Sequence, residues 1–332
     1  MPAKHQAEAI ESLSDALLKG QRRALAQSIT LIESSLAEDR IASQQLLERL
    51  LPHSGNSIRV GISGVPGVGK STFIEALGLY LADQGKRVAV LAVDPSSPVA
   101  GGSILGDKTR MESLSRHPNA FIRPSPTSGA LGGVAQRTRE TILLCEAAAY
   151  DVVLVETVGV GQSEYDVASM VDFFLLLMMP NAGDELQGIK KGIVELVHAL
   201  VINKADGESV LLAEQSREHY KNALHLLRAD PLWTPVVTQC SALHKQGIAE
   251  VWALVEEYMS RLREKGELEK LRNRQNLTWM RRLVHEVLER KLREDQSLAS
   301  LREKLEREVS EGKTTAYAAA ITLAAQLQAS KH

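Results

Sequence analysis

Short apolar runs alternate with amphipathic segments between residues 58 and 261 of the chain. Several runs are almost continuously apolar, which is typical of parallel strands buried on both faces, and the intervening segments have helical spacing. This pattern predicts a doubly wound α/β fold with a mainly parallel sheet, in which ligands bind at the carboxyl ends of the strands. The predicted strands are residues 58–63, 87–93, 120–123, 152–157, 172–178, 199–203 and 236–240.

Helical periodicity without strand signals marks both flanks of this α/β region. Before it, apolar residues recur at helical spacing as far as Leu50, and the turn residues 52–56 mark a boundary. After it, residues 279–288 carry an apolar stripe that needs a partner surface, either the α/β domain or a second copy of the chain. We favour the second copy. The predicted parts are an N-terminal helical extension (1–54), an α/β domain (55–261) and a C-terminal helical arm for dimerisation (262–332).

A glycine-rich loop follows the first predicted strand and precedes a predicted helix. It fits G-x-x-x-x-G-K-[ST], the phosphate-binding P-loop, in the strand–loop–helix context that the motif requires. Its glycines let backbone N–H groups surround a pyrophosphate, and the helix N-terminus adds partial positive charge. Lys70 would reach the β- and γ-phosphates, and the Ser71 hydroxyl would bind Mg²⁺. The predicted nucleotide-binding residues here are Gly64, Val65, Pro66, Gly67, Val68, Gly69, Lys70, Ser71 and Thr72.

Two further segments at strand ends indicate a guanine base. Asn203, Lys204 and Asp206 fit N-K-x-D after a predicted strand and downstream of a P-loop. The Asp206 carboxylate can accept from the N1–H and 2-amino groups of guanine, a pair of donors that adenine lacks on that edge. The competing interpretation is an ATPase with a coincidental turn of this sequence. The second segment, Ser241, Ala242 and Leu243, follows the last predicted strand. It resembles the S-A element of GTPases, whose backbone contacts the guanine oxygen.

Carboxylates at two strand ends and in one loop are candidate Mg²⁺ ligands. Glu156 ends a predicted strand, where a Walker B carboxylate belongs, and begins a segment similar to the DxxG switch of GTPases. The N–H of Gly159 in that segment could reach the γ-phosphate. Asp94 ends another strand and Asp107 lies in a glycine-rich loop; a helix cap and a solvated loop charge are the respective alternatives. Because Mg²⁺ prefers hard oxygen ligands, the predicted metal ligands are Ser71, Asp94, Asp107 and Glu156.

The pattern for hydrolysis departs from that of small GTPases. In small GTPases, a glutamine directly after the DxxG glycine orients the attacking water. Here Val160 occupies that position, and Gln162 lies nearby but out of register. We therefore expect slow intrinsic hydrolysis that a partner accelerates. A second charged loop, residues 181–192, is predicted to face the partner, with a purely solvated loop as the alternative. The candidate catalytic residues are Lys70, Asp107, Glu156, Gln162 and Lys190.

Composition excludes several classes of partner. The net charge of −2 does not favour nucleic acid or an anionic membrane, and the longest apolar run, residues 173–179, is too short to span a bilayer. The N-terminus begins a polar helical pattern rather than a signal peptide. Cys145 and Cys240 stand alone in apolar segments, as reduced, buried thiols do. We expect a cytoplasmic protein that binds neither nucleic acid nor membrane.

Five segments together resemble the MeaB/ArgK group of GTPases, within the SIMIBI class of P-loop proteins. They are GVPGVGKST, VDPSSPVAGGSILGDKTRM, ETVGVGQSE, DELQGIKKG and NKAD, and the similarity extends from near residue 10 to the C-terminal helices. The resemblance implies a homodimeric GTPase chaperone that binds GTP or GDP with Mg²⁺. It would assist an adenosylcobalamin-dependent acyl-CoA mutase, chiefly methylmalonyl-CoA mutase, by gating cofactor loading and protecting the enzyme from inactivation. The loops around Asp107, at 156–164 and at 184–191 match the three switches of the family.

Three other functions stay open at this point. Some relatives carry an older label, a kinase linked to arginine and ornithine transport, although the sequence has no export signal and no Asp in a kinase-type catalytic loop. A nucleotide-dependent nickel chaperone of the same class would need a Cys/His cluster, which the sequence lacks. An inert nucleotide-binding scaffold would function equally well after Lys70→Ala.

Overall fold

The structure is a computed structural model that describes residues 3–34, 36–93, 111–123, 131–157, 163–180, 191–225 and 232–329. The strands among these residues are β1 (Ile58–Gly64), β2 (Val88–Val93), β3 (Ala120–Arg123), β4 (Val152–Thr157), β5 (Phe173–Met178), β6 (Ala199–Ile202) and β7 (Val236–Gln239). They form one parallel sheet in the order β3-β2-β4-β1-β5-β6-β7. The strand order changes direction around β1, and α/β sheets bind ligands at such switch points.

The parallel α/β sheet predicted from the apolar runs is confirmed, with each predicted strand present. The bounds differ by one residue at the start of β2 and β5 and at the end of β1, β6 and β7. Two of these ends carry polar residues whose side chains bond to the backbone of other segments. Asp172, just before β5, accepts the backbone N–H of Arg59 with its carboxylate at 2.9 Å. Asn203, just after β6, directs its side chain to two neighbouring loops.

Helices cover both faces of the sheet region and form both flanks, as the periodicity predicts. The helices before and within the sheet region are α1 (Ala3–Leu18), α2 (Arg22–Glu33), α3 (Ala37–Leu50), α4 (Lys70–Asp83), α5 (Glu112–Arg116), α6 (Leu131–Ala147), α7 (Ser163–Ala168), α8 (Lys191–Val194), α9 (Val210–His225) and α10 (Ile248–Glu264). Those after it are α11 (Glu267–Glu294), α12 (Gln296–Ser310) and α13 (Ala316–Ala329). Short 3-10 turns occupy Leu51–His53 and Gly207–Ser209.

Contacts divide the chain into two compact units, Met1–Leu268 and Glu269–His332. In the first unit, α1, α2 and α3 pack on one another and on α6, and α6 packs on β2 and β4. An ion pair between Glu33 of α2 and Arg123 at the end of β3 adds a polar link. The N-terminal helices therefore belong to the same compact unit as the sheet. The domain boundaries predicted at residues 54 and 261 stay predictions.

The second unit is helical throughout its described residues. α12 and α13 pack together, and Leu298, Leu305 and Ala319 are buried. Asp295 caps α12, because its carboxylate accepts the backbone N–H of Ser297 at 2.9 Å. In the described part of the whole chain, no helix combines the length and the apolar content that crossing a bilayer requires.

Candidate functional site

The carboxyl ends of the parallel strands bring the predicted motifs to one edge of the sheet. β1 ends at Gly64, β4 at Thr157 and β6 at Ile202. The register keeps neighbouring ends level, because Gly64 pairs with Leu177 of β5 and Ile202 pairs with Gln239 of β7. This edge therefore carries the P-loop, Glu156, the N-K-x-D segment (203–206) and residues 241–243.

The P-loop has the backbone conformation that its glycines permit. Gly67 and Gly69 have φ angles of 82° and 92°, in the left-handed region that favours glycine. α4 begins at Lys70, so the unpaired N–H groups of its first turn face the loop. The Lys70 ammonium donates to the carbonyl oxygen of Gly64 at 2.8 Å and to that of Val65 at 3.4 Å. The lysine thus curls back over the loop, beside the helix end that binds phosphate in P-loop proteins.

Two buried acidic residues act electrostatically on this lysine. Burial lowers the pKa of Lys70, and the carboxylates of Glu156 and Glu164 oppose that shift by favouring the charged ammonium. The exposed fraction is 5 % for Glu156 and 1 % for Glu164. A partly desolvated cation at a helix start gains most from an anionic ligand that restores its lost solvation.

Asn203 joins three loops of the site. Its side-chain amide donates to the carbonyl oxygen of Val68 in the P-loop at 2.8 Å. Its amide oxygen accepts the backbone N–H of Ala242 at 3.1 Å and the thiol of Cys240 at 3.4 Å. Asn203 is 1 % exposed, so these bonds are shielded from solvent. One side chain therefore sets the position of the N-K-x-D segment relative to both the P-loop and the loop after β7.

Asp206 is held by the loop after β7. The hydroxyl of Ser241, which is 1 % exposed, donates to the Asp206 carboxylate and accepts the backbone N–H of His244 at 3.2 Å. The backbone N–H of Ala205 donates to the carbonyl oxygen of Cys240 at 3.0 Å. Asp206 itself is half-buried. These contacts orient the carboxylate while leaving part of it accessible to a ligand.

The more exposed predicted residues lie around this framework. Lys204 is exposed and has a φ angle of 59°. A Cβ atom on Gly69 would lie 2.9 Å from the Asn203 side-chain nitrogen and 3.9 Å from Lys204 Cε, so glycine at position 69 allows the close approach of the two segments. Thr72 is exposed at the start of α4, and Leu243 is 72 % exposed.

Glu156 and Ser71 are the predicted Mg²⁺ ligands that the structure describes. Glu156 lies near the end of β4, in register with Ile62 of β1, and Ser71 is half-buried in the first turn of α4. Both offer hard oxygen atoms, which suit Mg²⁺. Within the described part of the chain, no three His, Cys, Asp or Glu side chains are grouped to hold a metal. Ser71 and Glu156 thus fit a Mg²⁺ ion, and the nucleotide and water would supply its other ligands.

Other predicted site residues lie outside the described residues, and their roles stay predictions. They are Asp94, Asp107, Gly159, Gln162 and Lys190. Two buried features at the same edge were not singled out from the sequence. Glu164 is one, and its signal is an acidic residue in the first turn of the helix that follows the glycine-rich segment after β4. The other is the bond from the Thr157 hydroxyl to that of Ser63 at 2.9 Å, which joins the ends of β1 and β4.

Comparisons with known proteins show similarity to named GTPases. A family profile described as "Methylmalonyl Co-A mutase-associated GTPase MeaB" matches residues 25–297. The GTPase ArgK of Escherichia coli (strain K12) is 52 % identical over 271 residues, which are 81 % of this chain and 82 % of the relative. The "Methylmalonic aciduria type A homolog, mitochondrial" of Mus musculus is 50 % identical over 292 residues, 84 % of this chain and 70 % of the relative.

One solved structure extends the likeness to the fold of the whole chain. The crystal structure of an LAO/AO transport system kinase has a TM-score of 0.78 and 39 % sequence identity, and the match covers 99 % of both chains. The family and its named relatives make the protein a GTPase that binds guanine nucleotides, so the interpretation of residues 203–206 as a coincidental turn in an ATPase is set aside. The chain belongs to the family of methylmalonyl-CoA mutase-associated GTPases, MeaB.

Proposed function

We propose that the carboxyl edge of the sheet binds GTP with Mg²⁺, and that GTP hydrolysis there assists an adenosylcobalamin-dependent acyl-CoA mutase. The P-loop backbone and Lys70 hold the phosphates. Asp206 accepts from guanine, Lys204 lies over the base, and residues 241–243 bind the guanine oxygen. Mg²⁺ is held by Ser71 and Glu156, with Asp94 and Asp107 as further ligands.

The observation that carries the nucleotide assignment is the set of hydrogen bonds made by Asn203. They fix the phosphate-binding loop, through Val68, and the loop after β7, through Ala242, to the same side chain. Asp206, three residues later, is oriented by Ser241 of that same loop. Phosphate-binding and base-binding groups are thereby held at a set separation, as a ligand with a triphosphate at one end and a guanine at the other requires.

The chemistry of this site is mostly charge stabilisation. Bound Mg²⁺ would neutralise charge on the β- and γ-phosphates. The Lys70 ammonium adds positive charge on the transferred group. Burial lowers the pKa of Lys70, and the buried Glu156 and Glu164 oppose that shift by favouring the charged form. Because Val160 stands where small GTPases have their water-orienting glutamine, we expect slow intrinsic hydrolysis. Gln162, Lys190 or a partner would then supply the missing positioning.

The mutase assignment is supported by the names of the family and its relatives. The family profile is described as mutase-associated, and the mouse relative is named for methylmalonic aciduria. We extend this to a homodimer that gates adenosylcobalamin loading and protects the mutase from inactivation. A cytoplasmic location agrees with two free, buried cysteines, Cys145 and Cys240.

Mixing the full chain with methylmalonyl-CoA mutase tests the proposal. We expect the mutase, loaded with adenosylcobalamin, to raise the steady-state rate of GTP hydrolysis by at least about tenfold, since partners that complete a GTPase site act by larger factors still. Phosphate release is measured at increasing mutase concentration. Lys70→Ala is the control, because it removes the cation from the P-loop while its circular dichroism spectrum should stay that of the wild type. An unchanged wild-type rate at saturating mutase would reject the chaperone role.

A protein kinase is the second candidate, because the solved relative with the same fold is described as a transport system kinase. In that reaction the γ-phosphate passes to a protein hydroxyl and GDP leaves, whereas in hydrolysis water accepts it. GTP labelled in its γ-phosphate separates the two. We expect the label in inorganic phosphate; label retained on protein would favour the kinase.

A further inference from the structure

The short helix α7 packs against two strands, β1 and β4, whose carboxyl ends carry parts of the proposed nucleotide site. It begins six residues after β4 ends and packs on β1, β4 and α6. Its contact with the sheet is close: a Cβ atom on Gly61 of β1 would lie 2.9 Å from Val167 Cγ1. The chain just beyond its end is tied to α6, because the guanidinium of Arg139 donates to the carbonyl oxygen of Ser169 at 2.6 Å and to its hydroxyl at 2.9 Å. The carboxyl end of α7 is therefore anchored.

Two adjacent residues at the other end of α7 face different neighbours. Glu164 is 1 % exposed, and its carboxylate acts electrostatically on the Lys70 ammonium. Tyr165 is 40 % exposed, and its hydroxyl lies against Gly192 of α8, where a Cβ atom would be only 2.0 Å away. Successive helical residues point about 100° apart, so one end of α7 can contact both sites at once.

Glycine at position 192 is required by this contact rather than by backbone conformation. Any side chain there would displace the Tyr165 ring, whose Cζ atom would be 3.2 Å from the added Cβ. Gly192 is the second residue of α8 and the last residue of the segment predicted to face the partner, residues 181–192, and α8 is followed by β6. A shift of α7 at the nucleotide site would therefore press on, or release, the start of α8.

We propose that Tyr165 is a positioning residue that couples the occupancy of the nucleotide site to α8 through its contact with Gly192. α7 packs on β1, whose end leads into the P-loop, so a change at the P-loop reaches α7. The helix then turns about its anchored end, and Tyr165 transmits the turn to Gly192. The inference rests on the proposed phosphate-binding role of Lys70. Neither Tyr165 nor Gly192 belongs to the residues that bind nucleotide, so the coupling is separable from binding.

Hydrogen–deuterium exchange of the full chain, followed by mass spectrometry of the peptide covering residues 191–198, tests the coupling without any partner. In the wild type, a non-hydrolysable GTP analogue in place of GDP should change exchange in this peptide by about fivefold or more, the lower end of ordinary coupling factors. Tyr165→Ala should reduce that difference to below about twofold while the Kd of the analogue stays within about twofold of the wild type. The Kd comes from titration of the same samples.

A compensating pair of variants separates the contact from general effects on the helix. Gly192→Ala displaces the tyrosine ring and should weaken the nucleotide response, although alanine also favours helix. Adding Tyr165→Phe removes the hydroxyl from the space that the new methyl group occupies. The double variant should then recover most of the wild-type response, which a change in helix propensity alone would not produce.

Two results would overturn the inference: a wild-type peptide that does not respond to the nucleotide, or an equal response in the wild type and Tyr165→Ala. If the wild type does not bind the GTP analogue at all, the proposed function is rejected instead. A third result is also distinguishable: α8 responds to the nucleotide, but the mutase does not stimulate GTP hydrolysis. That result would reject the chaperone role and leave the coupling intact.

Discussion

The proposed choice of base by Asp206 depends on the direction of its hydrogen bonds. A carboxylate accepts both the N1–H and the 2-amino N–H of guanine, and the Ser241 hydroxyl holds it in place. In Asp206→Asn, one acceptor becomes a donor and opposes the 2-amino group. We expect the Kd for GTP to rise about 100-fold, the loss expected for hydrogen bonds to a charged group. Xanthosine triphosphate, which carries an oxygen at position 2, should gain affinity.

Titration of both nucleotides against the wild type and Asp206→Asn checks this exchange of preference. ATP serves as the control, because its base offers neither pattern, and its weak binding should not respond to the substitution. Equal GTP affinity in the two proteins would remove Asp206 from the base site.

Cys240 is a second residue whose environment makes a measurable prediction. Burial raises the pKa of its thiol from 9.0 to about 12, so the reactive thiolate is scarce in the folded protein. Iodoacetamide at pH 8 should alkylate Cys240 slowly in the native chain and rapidly in urea, as followed by peptide mass spectrometry. Since the unfolded chain releases this proton first, the thiol's contribution to stability is complete below pH 9 and is lost as the pH rises towards 12. Fast labelling of the native chain would contradict the burial.

At the scale of elements, Gly69 tests how closely the P-loop and the N-K-x-D segment must approach. Gly69→Ala adds strain at a left-handed φ of 92° and places a methyl group 2.9 Å from the Asn203 amide. That amide cannot move without losing its bond to Val68. We expect the free energy of unfolding to fall by about 1–2 kcal/mol from strain and by about 1–3 kcal/mol more from the displaced hydrogen bonds. Urea unfolding of the nucleotide-free protein measures the sum of these two losses.

Gly85→Ala is the matched control for that variant. Gly85 has a φ angle of 81°, and a Cβ atom there would have nothing within 4 Å. It should therefore show the strain alone and leave GTP affinity unchanged, whereas Gly69→Ala should weaken GTP binding by at least about tenfold. If the two variants lose equal stability and bind GTP equally well, the close approach at Gly69 has no energetic role.

The strands could be predicted from the sequence because a strand that is buried on both faces consists almost entirely of apolar residues. β5, Phe173–Met178, is wholly apolar and wholly buried, so no competing periodicity obscures it. The P-loop and N-K-x-D segments could be placed at one edge because parallel strands align their carboxyl ends. Some strand ends differed from the prediction by one residue, at polar residues such as Asp172 and Asn203, whose side chains bond to the backbone of other segments.

Contacts between distant segments could not be predicted in the same way. That Glu164 is buried towards Lys70, or that Tyr165 lies against Gly192, depends on how α7 packs on β1. A single chain carries no periodic signal for such pairs, since each involves one residue from each of two elements. Asn203 could be predicted in part. Its motif predicts that the side chain connects neighbouring loops, but only the structure identifies the partners, Val68 and Ala242.

At the scale of the molecule, every described residue assigned to the nucleotide site lies within the unit Met1–Leu268. The unit Glu269–His332 has a different character. On α11, Leu277, Met280 and Val284 are 52 %, 52 % and 49 % exposed, and they recur at helical spacing. An exposed apolar stripe of this kind marks an interaction surface. The predicted occupant is the same stripe of a second copy, because two-fold pairing buries both stripes at once.

The double substitution Met280→Glu and Val284→Glu tests this predicted homodimer. Two-fold symmetry would gather four carboxylates in one apolar interface, where unpaired charge is costly, so the dimer should dissociate. Sedimentation velocity should give a dimer for the wild type and a monomer for the variant, while the Kd for GTP, set by the other unit, stays unchanged. Glu289→Lys is the control, since it alters charge by a similar amount at an exposed position about 180° around α11 from Met280. A monomeric wild type, or a variant that still dimerises, would reject the stripe on α11 as the interface between two copies.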